Sequence, residues 1–154
     1  SNILVYFGLW LFFGFRYSWK TAVYLLLFAG LLVFCTDQLT NLFKVQVGRL
    51  RPCYDEEIKT LVRLVKPSCG GRYSFFSGHA SNSFALAVFF GLIFKEPYRF
   101  LLPALLFIAF LIAYSRVYIG VHFPLDIFAG AVVGSLIGLG IFRLWKLFKL
   151  RFLS

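Results

Sequence analysis

The stretch Ile127–Phe142, IFAGAVVGSLIGLGIF, contains no charged residue and no proline. As an α-helix its roughly 16 residues reach about 24 Å, most of the ~30 Å thickness of a bilayer's hydrocarbon core. Gly130, Gly134 and Gly138 recur every fourth position, so they share one helix face and let a second helix come close. Four further uncharged stretches have the same character: Ser1–Phe15, Thr21–Thr36, His79–Phe94 and Phe100–Ser115. In His79–Phe94, Ser83, Ala87 and Gly91 repeat the small-residue spacing. Trp10, Trp19, Tyr98, Trp145 and several Lys or Arg flank the stretches, as residues at a membrane interface do.

Composition agrees. Of 154 residues, 60% are apolar, 14% are charged and 21 are Phe, and the mean hydropathy is +0.83. A soluble domain of this size carries about 25% charged residues. So little polar surface excludes a secreted, cytosolic or nucleic-acid-binding globule, despite the net charge of +10. The expected fold class is all-α: a polytopic transmembrane helix bundle of five spans, residues 1–154 forming a single membrane-embedded domain. Ser1 in first position and the lack of any Met lead us to expect that the natural start, with room for a sixth span, lies upstream.

Between the second and third spans lies the one long polar segment, residues 37–78, read as an extracytoplasmic loop. Leu39–Leu50 is expected to form a short interfacial helix, and Pro52, Pro67 and Gly70–Gly71 break the rest into loop. Alternating the loops across the membrane puts eight Lys or Arg on each side. The compact basic tail Arg143–Arg151 directly follows a span, so its side is assigned to the cytoplasm and the polar loop faces outward. The chain is thus expected to be multi-pass, with any chemistry in the polar loop on the outer side.

Charged groups at span ends cost free energy and call for a reason. Three clusters share the outward side: Lys44 with Arg51–Pro52, then Ser77–Gly78–His79, then Ser115–Arg116 with His122 and Asp126. The guanidinium forks of Arg51 and Arg116 match phosphate oxygens in geometry and charge, and Lys44 adds a third cation. Ser77 suits the N-cap of the third span and Pro124 the first turn of the last. Two helix N-termini would then present free N–H groups to one anion. His122 and Asp126 are four apart, so within one helical turn the carboxylate reaches the imidazole and fixes its tautomer. An imidazole held in this way can attack phosphorus. His79, the other of the two His in the chain, can protonate the leaving oxygen.

The pattern Lys44-x6-Arg51-Pro52, Ser77-Gly78-His79 and Ser115-Arg116-x5-His122-x3-Asp126 resembles the three-part signature of the type-2 phosphatidic acid phosphatase family. That family includes bacterial lipid phosphatases and shares its site with vanadium haloperoxidases. One departure is Phe76, where the family usually has Pro. The resemblance implies His122 as nucleophile forming a phosphohistidine, Asp126 as its orienting partner and His79 as acid on the leaving group. It implies Lys44, Arg51, Ser77, Gly78 and Arg116 as ligands of the phosphoryl oxygens, with no metal and no cofactor.

The implied substrate is a phosphorylated membrane lipid, and the other partners are membrane lipids rather than nucleic acid. The short loops resemble those of the bacterial lipid A 1-phosphatases. Undecaprenyl diphosphate and phosphatidylglycerophosphate are rival substrates. A lipid-binding or transport protein is the non-enzyme alternative, against which the retention of both His and Asp126 argues. Haloperoxidase chemistry belongs to soluble proteins.

Residues outside these motifs receive structural expectations. Arg49, Arg63, Lys66 and Arg72 read as headgroup or loop anchors, with steering of a polyanionic headgroup as a second role. Asp37 is expected to cap a span or to pair with a cation. Cys35 lies within a span as an inert thiol. Cys53 and Cys69 are placed to form a disulfide in an oxidising compartment, with free thiols as the alternative.

Overall fold

The computed structural model describes residues 18–65, 68–96 and 98–153. The stretch Ser1–Phe15 and Lys66 lie outside them. The described chain folds into four α-helices: α1 (Trp19–Val47), α2 (Gly78–Ile93), α3 (Leu101–Tyr118) and α4 (Pro124–Phe152). Of these, α1, α3 and α4 are long and apolar enough to cross a membrane, and α2 is a shorter apolar helix. The protein is a multi-pass helical membrane protein.

Two helices outrun the expected spans. α1 and α4 each have 29 residues, about 43 Å, enough to pass the hydrocarbon core and enter both headgroup layers. α1 starts at Ser18, whose side chain accepts from the Thr21 N–H, and ends at Gly48 in the left-handed conformation (φ 63°). No Gly or Pro lies between Thr36 and Gly48. The separate interfacial helix expected at Leu39–Leu50 is therefore the last turns of α1. Asp37 sits inside α1 just past the expected span, and Asn82 Nδ2 of α2 donates to its carboxylate at 2.9 Å. The Lys44 cation lies within electrostatic range of it as well. α4 continues through Arg143, Lys146, Lys149 and Arg151, whose cations suit a helix C-terminus and whose stems cover apolar surface.

α2 is the central helix and packs on the other three. At the end away from the polar loop, Leu25, Leu32, Ala85, Phe89, Phe94, Ile141 and Trp145 form the buried core. Leu27, Phe34, Phe107, Phe128 and Leu136 are exposed on the outside of the bundle, where lipid is the solvent.

The small-residue faces each meet a different partner. A Cβ at Gly130, Gly134 or Gly138 would come within 2.6, 2.1 and 2.5 Å of the carbonyl oxygens of Ser77, Ser81 and Ala85. The glycine stripe of α4 thus presses backbone to backbone on α2. Gly91, on the second small-residue face, instead receives Leu102 of α3, whose Cδ1 would lie 2.6 Å from a Cβ there.

Candidate active site

The close seam between α2 and α4 brings their N-termini to one place. The Ser77 N–H donates to the Asp126 carbonyl at 3.0 Å. Ser77 is the N-cap of α2, and its hydroxyl accepts from the Ala80 N–H. Pro124 opens α4, where its missing N–H costs no hydrogen bond. His79 stands exposed on the first turn of α2, next to Gly78. Both His residues therefore lie at the same end of the bundle.

His122 is not on a helical turn with Asp126, as the four-residue spacing suggests. It lies in the turn between α3 and α4, and the carboxylate comes to it by curling back. Asp126 Oδ2 accepts from the Phe123 N–H at 2.8 Å and lies 3.5 Å from His122 Nδ1. That separation is longer than a formed hydrogen bond, and Nδ1 has no other acceptor among the described residues. Catalytic contacts of this kind often tighten only when substrate is bound. The ring and the carboxylate are 4% and 0% exposed. Gly120 (φ 77°) shapes the turn, and a Cβ there would meet Val62 Cγ1 at 2.7 Å, so a side chain is excluded on both counts.

Burial lowers the His122 pKa from its ordinary 6.5. The Asp126 contact opposes this, while the charges of Arg51 and Lys44 add to it. The ring is therefore neutral at pH 7. The same electrostatics place Lys44 and Arg51 within range of His122, and Arg51 within range of Asp126.

Lys44 lies on the last turn of α1. Arg51 is held by the loop opposite: its Nε donates to the Tyr73 carbonyl at 3.3 Å and its Nη1 to the Cys69 carbonyl. A Cβ at Gly70 (φ 76°) would be 3.0 Å from Nη1, so glycine makes room for the guanidinium. Two of its five donors are engaged, and the rest remain for an anion. Cys53 and Cys69 are joined, with Cα atoms 6.3 Å apart, which ties the Arg51–Pro52 turn to the segment that grips Arg51. Arg116 stands on the last turn of α3, its Nε donating to Ser115 Oγ at 3.1 Å.

Arg49 departs from its expected role as an anchor. Its Nη1 donates to Asp126 Oδ1 at 3.1 Å, and its guanidinium lies 4.0 Å from the centre of the Phe123 ring. An isolated antiparallel bridge pairs Leu50 with Tyr73. In extended backbone, residues two apart point to the same side, so Arg49 and Arg51 both turn inward. That alternation, two arginines flanking an apolar residue just past a helix-ending glycine, was the available sequence signal.

The arrangement is a buried imidazole backed by a carboxylate, at the meeting of two helix N-termini, among cations suited to phosphoryl oxygens. The chain matches the PAP2 superfamily over residues 21–149 and belongs to it. Among characterised relatives, it is 39% identical over 122 residues to a lipid A 4'-phosphatase of Bacteroides thetaiotaomicron, covering 78% of this chain and 53% of that protein. It is 34% identical over 136 residues to a lipid A 4'-phosphatase of Porphyromonas gingivalis, covering 88% of this chain and 57% of that protein. The chain thus spans about half the length of the curated relatives it matches.

Two crystal structures share the fold. The PAP2-type phosphatidylglycerolphosphate phosphatase of Bacillus subtilis aligns with TM-score 0.68 and 26% identity, covering 99% of this chain and 73% of that one. Aquifex aeolicus LpxE aligns with TM-score 0.64 and 29% identity, covering 91% and 77%.

Proposed function

We propose that this protein is a lipid phosphatase that hydrolyses the phosphoric monoester of a lipid of the lipid A class, at the outer face of a bacterial inner membrane. The observation that carries the reading is the buried His122–Asp126 pair at the joined N-termini of α2 and α4, within range of Lys44 and Arg51. His122 attacks phosphorus through Nε2, the P–O bond breaks, and the leaving oxygen takes a proton from His79. Water then gives a proton to His79, and its oxygen displaces the imidazole, releasing phosphate and restoring both rings. Lys44, Arg51, Arg116, Ser77 and the Gly78 N–H hold the phosphoryl oxygens and stabilise the charge in transfer.

The names of the two relatives support the lipid A class and favour its 4'-phosphate over the 1-phosphate expected from the loops. The outward orientation rests on α4. Its N-terminus carries the site, and its other end carries Arg143, Lys146, Lys149 and Arg151, the sign favoured on the cytoplasmic side. The joined Cys53 and Cys69 suit an oxidising periplasm.

The test offers purified protein lipid A, phosphatidylglycerophosphate and undecaprenyl diphosphate in mixed micelles, with phosphate release and product mass measured. Turnover is expected with lipid A at the 4'-position, in excess chelator, and to be absent in His122→Ala folded in the same detergent. Turnover in that variant would overturn the mechanism, and preference for another lipid would overturn the substrate.

A further inference from the structure

We infer that Arg49 is a positioning residue for the proposed transfer, holding the Asp126 carboxylate so that its second oxygen stays turned to His122. This rests on the reading of His122 as nucleophile.

Arg49 is placed from three directions. Its carbonyl accepts from the Ser74 N–H at 2.8 Å and from the Ser74 hydroxyl at 3.3 Å, which fixes the backbone. Its guanidinium stacks on Phe123, the residue between His122 and Pro124. Its Nη1 reaches Asp126 Oδ1. The guanidinium thus holds the start of α4 at both the Phe123 ring and the Asp126 carboxylate. A headgroup anchor would direct its charge outward. Here the side chain is 34% exposed and its charge is spent on a carboxylate that is 0% exposed.

The division of labour on Asp126 gives the argument its direction. Oδ2 serves the Phe123 N–H and faces His122, and Oδ1 has Arg49 as its side-chain donor among the described residues. Without Arg49, a buried carboxylate loses its counter-charge and one oxygen loses its donor, a costly state that rotation of the group would relieve. Rotation takes Oδ2 off the imidazole. The clamp therefore belongs to the chemistry as well as to the packing.

The charges acting on His122 are Lys44 on α1, Arg51 in the loop and Asp126 on α4, and Arg49 from the loop reaches it through Asp126. Once Oδ2 swings away, His122 loses the contact that favours its protonated form, and the imidazole becomes harder to protonate.

The experiment compares Arg49→Gln, Arg49→Lys, Asp126→Asn, the double variant Arg49→Gln/Asp126→Asn and His122→Ala. Thermal unfolding in detergent is followed, as is kcat/KM against pH with a phosphorylated lipid in mixed micelles. Arg49→Gln is expected to lose about 10- to 100-fold in kcat with KM little changed. Its acidic limb should move to lower pH, as the Asp126 contact that raises the His122 pKa is lost. Arg49→Lys should return the limb to its parent position and recover part of the rate. In the Asp126→Asn background, Arg49→Gln should cost less than about two-fold, as expected for residues acting as one unit.

Parent rate and parent pH profile in Arg49→Gln would overturn the inference, as would a loss confined to KM, or full additivity with Asp126→Asn. If Arg49→Gln does not fold, Arg49→Lys decides: a parent limb with reduced kcat supports the clamp, and unchanged kcat overturns it. Activity in His122→Ala is a different failure, that of the underlying mechanism.

Discussion

The Ser77 amide donates to the Asp126 carbonyl at 3.0 Å, so one backbone bond joins the first residue of the α2 N-terminus to the carboxylate-bearing turn of α4. The bond is short because three glycines below it let the helices touch. Helix packing and site geometry are thereby one problem, since any widening of the seam separates the Ser77–Gly78 turn from Asp126 and His122.

Widening the seam is a direct test. Gly134→Ala sets a methyl about 2 Å from the Ser81 carbonyl and should destabilise the fold by about 1–3 kcal/mol, lowering both the unfolding temperature in detergent and kcat. Gly140→Ala, on the same helix with open space around it, should be neutral or slightly stabilising.

The acidic limb of kcat/KM should lie below pH 6.5, because burial lowers the His122 pKa and the neutral ring is the reactive form. The sign for stability is the same. Below pH 6.5 the unfolded chain binds a proton that the folded one refuses, so stability falls from there down to the lower folded pKa. Above pH 6.5 His122 contributes no pH dependence. A pH–rate series beside unfolding curves checks both.

Arg51→Lys keeps a cation but loses the fork that engages the Cys69 and Tyr73 carbonyls. Arginine and lysine are not interchangeable at such a site. The expected outcome is a loss of about 1.5–3 kcal/mol in kcat/KM, with folding retained, measured on the same lipid.

Opening the link between Cys53 and Cys69, which are 16 residues apart, should cost about 3 kcal/mol of stability. It should also raise KM, since the freed segment carries the carbonyl that grips Arg51. The double variant Cys53→Ser/Cys69→Ser and a reductant-treated parent should behave alike in unfolding and kinetic assays.

Much of the site was legible as pattern. His122, Asp126, Lys44 and Arg51 stand at spacings that phosphate chemistry explains. What spacing hid was the means of approach: His122 meets Asp126 through a capping turn, not along a helix face. Arg49 looked like any basic residue near a headgroup, since nothing local says that Leu50 pairs with Tyr73 and turns both arginines inward. Asp37 looked like a helix end because a lone carboxylate in an apolar run is costly. Its amide partner, Asn82, lies 45 residues away.

The sequence by itself determined that the chain lives in a membrane as helices, because lipid offers the polar backbone no partners and continuous apolar stretches of about 16 residues satisfy it internally as helices. It also determined which residue types could handle a phosphoryl group. Only the tertiary structure decided which glycine face meets which helix, where α1 ends, and which arginine serves Asp126. Those outcomes depend on contacts between distant segments, set by close packing and by the pairing of buried charge, and neither has a period along the chain.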